Sequence, residues 1–145
     1  MLVSELMERS PISVAPEDSC RDAARLLDRY RVGALPVVNG DGMLKGILTD
    51  RDLVLRCLAP GKDPDKTPVR DCMTRNPVTV SPHDRVETAA ARMSAGQVRR
   101  LPAAEGGRLA GMVSLGDLSR VEAFRMEAAK ALAEITQGVQ RLSRT

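Results

Sequence analysis

The chain has 145 residues, 43% hydrophobic and 28% charged, with 22 basic against 19 acidic residues and a formal net charge of +3. That is the make-up of an ordinary globular chain of one domain or two small ones. No apolar run approaches the ~20 residues that span a bilayer, and no block of like charge marks a nucleic-acid or membrane-surface protein.

Pro11 and Pro16 bracket a very short apolar strand, Ile12-Ser13-Val14. Asp18 or Ser19 can cap the helix that follows. Cys20, Ala23, Ala24 and Leu27 then fall at the i, i+3, i+4, i+7 spacing of one buried helix face. Leu35-Pro36-Val37-Val38 reads as a strand with Pro36 near its start or on an edge. Asn39-Gly40-Asp41-Gly42 reads as a hairpin turn, because Asn and Gly tolerate positive φ. Leu44 to Leu48 returns as the second strand, and Thr49 opens a helix through about Leu58. Residues 59–68, with three prolines and a glycine, form a polar connector.

The chain then repeats itself. Met7, Pro11, Val14 and Pro16 recur as Met73, Pro77, Val80 and Pro82, an offset of 66 residues. Cys20, Ala23, Ala24 and Leu27 answer Val86, Ala89, Ala90 and Met93, and Leu35-Pro36 answers Leu101-Pro102. One residue is lost in the next turn, after which Gly46-Ile47-Leu48-Thr49 matches Gly111-Met112-Val113-Ser114 and Asp52-Leu53 matches Asp117-Leu118. The expected organisation is an α/β chain of two β-α-β-β-α repeats, residues 1–58 and 69–120, joined by the connector and followed by a helical extension over 121–145. A helix is expected from Leu115 to Gln137 with Gly138 as its stop. Its apolar positions Val121, Phe124, Ala128, Ala131 and Ile135 step by 3 and 4, a stripe that either covers its own domain or meets a partner.

Other residues say less. Cys20, Cys57 and Cys72 are odd in number and lack C-x-x-C spacing, so free thiols are expected and no metal site. Cys57 and Cys72 flank the connector and can approach each other. His83 lies in a Pro-His-Asp turn and is expected to be exposed, Tyr30 partly buried. The first residues, Met1-Leu2-Val3-Ser4-Glu5, show no basic segment followed by an apolar core, so a cytoplasmic location is expected. Two aromatics cannot build a base-stacking platform. No nucleophile–base pair or P-loop is visible, so no enzymatic activity is expected.

The duplicated pattern, Met-x-x-x-Pro-x-x-Val, an Ala-rich helix, Leu-Pro, a Gly turn and Gly-h-h-[Ser/Thr]-x-x-Asp-Leu, resembles the CBS domain, named for cystathionine β-synthase. Two tandem copies resemble a CBS pair, or Bateman module, of the small stand-alone bacterial kind. The resemblance implies two repeats related by pseudo-twofold symmetry with up to two ligand sites in the cleft between them. It implies a disc-like homodimer, and AMP, ADP, ATP or S-adenosylmethionine as ligand, with no obligatory cofactor. Binding would regulate a protein partner through a conformational change.

Carried onto this sequence, the resemblance implies that Asp52 and Asp117 accept hydrogen bonds from ribose hydroxyls, with Thr49 and Ser114 toward phosphate. Ser/Thr-x-x-Asp at a helix start is equally the pattern of a capping box, which needs no ligand. Arg99 and Arg100 precede Leu101-Pro102, where basic side chains reach phosphate in the family; the first repeat has Gly33-Ala34 there. Arg51 is a further candidate, replaced by Gly116 in the second repeat. Ile12, Val14, Val78 and Val80 would flank the adenine ring or simply belong to the core. Without a ligand, the chain would be an interaction dimer working through the C-terminal stripe.

Overall fold

The computed structural model describes residues 1–143. In chain order the elements are α1 (Val3–Leu6), β1 (Glu8–Arg9), α2 (Cys20–Tyr30), β2 (Ala34–Val38), β3 (Leu44–Thr49) and α3 (Asp50–Leu53). A π-helical turn, Val54–Leu58, continues α3, and a 3-10 turn, Val69–Asp71, precedes β4 (Thr74–Arg75). Then come α4 (Val86–Gly96), β5 (Arg100–Glu105), β6 (Arg108–Ser114), α5 (Leu115–Ser119), a 3-10 turn (Glu122–Phe124) and α6 (Arg125–Ser143). Among the described residues no helix is long and apolar enough to cross a membrane.

The chain folds into two compact units, and their borders do not follow the repeats. One holds Pro11–Pro77 with Gly107–Leu109; the other holds Met1–Ser10, Val78–Gly106 and the chain from Ala110 onward. The first ten residues therefore pack with the second repeat, and the nine residues that open the second repeat pack with the first.

In the unit of the first repeat the sheet order is β2-β3-β4. β3 pairs antiparallel with both neighbours, Ile47 facing Pro36 on one side and Thr74 on the other. The expected first strand shrinks to one bridge, Val14 to Val37, because only Val14 uses both main-chain groups: its N–H donates to Pro36 O (3.1 Å) and its C=O accepts from Val38 N (2.8 Å). Pro36 sits in the middle of β2, not at its start, but β2 is an edge strand of its sheet, as the alternative expectation had it. Its nitrogen and carbonyl face the same side of the strand, where only this single bridge runs, so the missing N–H interrupts no ladder. Ser19 is the N-cap of α2, accepting from Asp22 N at 3.1 Å. The Asn39 side chain closes the hairpin by accepting from Asp41 N (3.0 Å) and Met43 N (2.9 Å), and Gly42 supplies the positive φ of 81°. The core gathers Val14, Ala23, Leu35, Leu48 and Val69 around Cys20, Cys57 and Cys72. Tyr30 is exposed (44%), not partly buried, with the Arg29 guanidinium 5.5 Å from its ring centre.

In the unit of the second repeat the sheet order is β1-β6-β5, with Glu8 opposite Met112 and Arg9 opposite Gly111. Glu8 and Arg9 stand 66 residues before Thr74 and Arg75, so the two repeats exchange equivalent short strands. The expected helix over Leu115–Gln137 is broken after Ser119. There the Ser119 hydroxyl donates to Gly116 O (2.8 Å), and a 3-10 turn over Glu122–Phe124 separates α5 from α6. Gly138 does not stop α6; it keeps a helical backbone, and the Gln97 side chain lies where its Cβ would stand. Phe124, Ala128, Ala131 and Ile135 are buried with Val86, Ala90, Met93 and Leu118. The stripe covers its own unit and is not left for a partner.

Two recurring glycines have a packing reason. A Cβ on Gly46 would stand 2.6 Å from Thr74 O and 2.9 Å from Met73 Sδ; on Gly111 it would stand 2.5 Å from Glu8 O and 2.9 Å from Met7 Sδ. The exchanged strand crosses directly over each glycine. Gly46→Ala or Gly111→Ala is expected to destabilise the chain by about 1–3 kcal/mol through overpacking, read from denaturant unfolding.

Burial holds the Cys20 thiol up at about 12, with the neighbouring Cys72 and Cys57 adding to the effect, and burial also pushes Cys72 up. Unfolded thiols ionise near ~8.5, so at higher pH the unfolded chain has released protons that the native chain keeps. Stability is therefore expected to fall as pH rises from about 9 toward 12, with no contribution from these thiols below about 8. Thermal melts across this range should show the decline, and Cys20→Ala should flatten it.

Candidate ligand site

Both Ser/Thr-x-x-Asp segments form capping boxes. Thr49 Oγ1 accepts from Asp52 N, and Asp52 Oδ2 accepts from Thr49 N, both at 3.0 Å. Ser114 Oγ accepts from Asp117 N at 3.1 Å, and Asp117 Oδ2 accepts from Ser114 N at 2.9 Å. The box satisfies two donors that every helix start leaves open, which accounts for the motif without a ligand.

The two aspartates differ beyond the cap. Asp52 is buried, and the Thr74 hydroxyl donates to its carboxylate at 3.3 Å from both oxygens. Arg56 Nη1 lies 4.0 Å from Asp52 Oδ1 and donates to the carbonyls of Met73 (2.9 Å) and Cys72 (3.3 Å). Asp52 thus ties the exchanged strand β4 to α3. In the other unit the position of Thr74 is taken by Glu8, which carries no hydroxyl to offer. Asp117 keeps its side chain 24% exposed, with Arg120 Nη1 3.7 Å from Oδ1. Among the described residues Asp117 Oδ1 accepts no hydrogen bond.

Arg99 and Ser114 are brought together by the main chain: Leu115 N donates to Arg99 O at 2.9 Å, as Asp50 N does to Gly33 O at 3.2 Å in the first repeat. Beside them an open groove of about 730 Å³ runs between the start of α5 and α6. Arg99, Arg100, Arg120 and Arg125 line it with Ser114, Gly116 and Ser119, and Leu115, Ala128, Ala129 and Leu132 give it an apolar wall. No carboxylate is on its lining, and among the described residues Arg99, Arg100 and Arg125 form no ion pair. Its volume falls within the ~300–1,000 Å³ usual for small-molecule sites.

Three sequence candidates, Arg99, Arg100 and Ser114, therefore share one groove. Arg120 and Arg125 were missed by sequence reasoning. They flank the break between α5 and α6, which the apolar periodicity across 115–137 concealed. Arg51 is exposed, and neither it nor Thr49 is on the lining of the arginine groove. Val14 and Val80 are core residues, and their main-chain groups are used in bridges to β2 and β5; Ile12 (36%) and Val78 (41%) are the exposed pair. His83 is exposed as expected, 2.8 Å from Glu105 Oε1 through Nε2. The three cysteines are buried free thiols, as the sequence suggests; Cys57 and Cys72 approach each other, as their places beside the connector allow, and, contrary to expectation, Cys20 joins them, with all sulfurs within 4.8 Å of one another. Nothing in the spacing of Cys20 from the other two gave a sign of this.

Comparison with known proteins agrees with these features. The CBS domain model matches residues 3–58 and 69–123. The CBS domain-containing protein YhcV of Bacillus subtilis is 39% identical over 134 residues, covering 92% of this chain and 94% of that one. Hypoxic response protein 1 of Mycobacterium tuberculosis is 30% identical over 116 residues, 80% of this chain and 81% of that one. A crystal structure of Hypoxic Response Protein I with two coordinated zinc ions superposes with a TM-score of 0.77 at 29% identity, covering 83% of this chain and 98% of that one. CBSX2 in complex with AMP superposes with a TM-score of 0.74 at 29% identity, covering 87% and 98%. The strand–helix repeat, found twice with its Gly-h-h-[Ser/Thr]-x-x-Asp ending, is thus the CBS domain, and the chain belongs to the CBS-domain family as a tandem pair.

Proposed function

We propose that the chain is a non-catalytic regulatory module that binds an adenosine nucleotide, with phosphate in the arginine groove of the second repeat's unit and ribose on Asp117. The observation that carries this reading is the groove: four arginines and two serines with no carboxylate on the lining. Guanidinium forks bind phosphate oxygens in pairs through charge-assisted bonds. The Asp117 carboxylate has an acceptor to offer a ribose hydroxyl, whereas both Asp52 oxygens already serve Thr74. The AMP held by the similar CBSX2 supports the ligand class. Of the ligands the family resemblance implies, S-adenosylmethionine fits less well, because its sulfonium cation would face four arginines. Occupancy changes the conformation of a homodimer, and a protein partner reads that change. No step of this function needs a resident cofactor.

Calorimetric titration with AMP, ADP, ATP and S-adenosylmethionine tests the reading. The three nucleotides are expected to bind, with affinity falling as salt rises, and S-adenosylmethionine to bind more weakly than AMP. Arg100→Ala should cost about tenfold or more in AMP affinity, the usual consequence of losing a charged hydrogen bond. Equal binding of AMP by wild type and Arg100→Ala would place the phosphate elsewhere and reject the assignment.

The aspartates should separate fold from function. Asn in place of Asp preserves one cap acceptor while removing charge. Asp117→Asn is expected to weaken AMP binding with little loss of stability. Asp52→Asn is expected to leave AMP affinity unchanged and lower stability by about 1–3 kcal/mol, because Thr74 and Arg56 lose a charged partner in a buried place. Paired melting curves and titrations check both.

A further inference from the structure

The three cysteines of the chain come from remote places in the sequence yet meet in one core. Cys20 opens α2, Cys57 lies in the π-helical turn after α3, and Cys72 follows the 3-10 turn Val69–Asp71. Their sulfurs lie within 4.8 Å of one another and all three residues are buried. Their hydrogen bonds are long ones to carbonyls: Cys20 to Pro68 O (3.8 Å), Cys57 to Lys62 O (3.8 Å) and Cys72 to Arg56 O (3.6 Å). The π turn matters for the arrangement. A π register is rare, occurs mostly as a single turn and is frequent at functional sites, and here that turn carries Cys57.

We propose that Cys20, Cys57 and Cys72 form a sulfur-only, three-coordinate site for a soft ion. The donor set selects the class, since thiolates favour soft ions such as Cu(I) over hard ones. Bonds of about 2.3 Å to a central ion put three trigonal sulfurs ~4.0 Å apart, within reach of the observed cluster by small side-chain rotations. Among the described residues the ligating group consists of the three cysteines alone. A tetrahedral zinc site needs a fourth donor, whereas Cu(I) and trivalent arsenic are complete with three sulfurs. A small cavity of about 200 Å³ reaches Cys20 and Cys57 past Ala24, Leu53, Leu58 and Pro64. Arg21 also stands on its lining, and the rest of the approach is apolar.

Charge distinguishes the two sources. Arsenite condenses with three thiols, As(OH)₃ + 3 RSH → As(SR)₃ + 3 H₂O, breaking three As–O and three S–H bonds and leaving a neutral centre with no change in oxidation state. Cu(I) on three thiolates releases three protons and leaves two net negative charges. A neutral centre suits an apolar core better, since buried charge without a partner is costly.

The reduced full-length chain should be titrated anaerobically with sodium arsenite and, separately, with Cu(I) held by a chromophoric chelator. One equivalent of arsenite is expected to protect all three thiols from a thiol reagent, with three sulfurs around arsenic by X-ray absorption. Native protein should bind at least 100-fold more tightly than the same chain in denaturant, because the sulfurs are already gathered. Each of Cys20→Ala, Cys57→Ala and Cys72→Ala should lose at least 100-fold, with circular dichroism checking the fold; if a variant unfolds, the sulfur count on wild type decides. Tighter binding of Cu(I) than arsenite, through three sulfurs, would keep the site and assign it to the monovalent ion. Native binding of both probes no tighter than in the unfolded chain, or fewer than three sulfurs on the bound ion, would leave the cysteines as packing residues and overturn the proposal. Zinc binding through four protein ligands would overturn it equally.

Discussion

A two-residue strand laid across a glycine completes each of the two sheets. β4 crosses Gly46 and β1 crosses Gly111, in each case with a carbonyl and a methionine sulfur where a Cβ would otherwise stand. Neither strand is long enough to be stable alone. Each is held by antiparallel pairing and by the methionine beside it, Met73 or Met7, both of which are buried. The glycine before the capping box is therefore a requirement of sheet closure, and its recurrence does not by itself indicate a ligand.

From that shared frame the repeats diverge in what they do with the same aspartate. In one, a threonine on the crossing strand binds the carboxylate and makes it a structural tie. In the other, the crossing strand brings Glu8, and the aspartate keeps an acceptor toward solvent. The arginines follow the same asymmetry: Gly33-Ala34 in the first repeat, Arg99-Arg100 in the second, with Arg120 and Arg125 added where α5 ends. Duplication supplies two equivalent scaffolds, and a few side chains decide which one retains open chemistry.

Much of this was legible in the sequence because the duplication doubles every signal. The α2 and α4 faces, the hairpin at Asn39 and both capping boxes follow from spacing and residue type alone. Even the left-handed residues obey the offset: Ser10 and Asn76, Arg31 and Gln97 all have φ near 50°. What escaped depends on contacts remote in sequence. The exchange of β1 and β4 has no local signature, since two residues carry no periodicity. The break after Ser119 leaves the apolar spacing across 115–137 undisturbed, so periodicity does not show it. The π register in Val54–Leu58 leaves the apolar pattern intact and so gave no sign of itself, and the meeting of Cys20 with Cys57 and Cys72 went unseen.

The exchanged strands also set an order of events during synthesis. β4 leaves the ribosome soon after the sheet it completes, so the unit of the first repeat has its whole sheet once Arg75 has emerged. The first ten residues are in the opposite position: Val3 and Ser4 bond to the chain at Asp84 and Pro82, and the sheet partner β6 comes later still. At about 5–20 residues per second, Val3 and Met7 wait several seconds for the hydrophobic surface that buries them. The nascent chain thus carries an incompletely covered apolar segment until β6 is translated, a period in which a chaperone or a neighbouring nascent copy has the same surface to grasp.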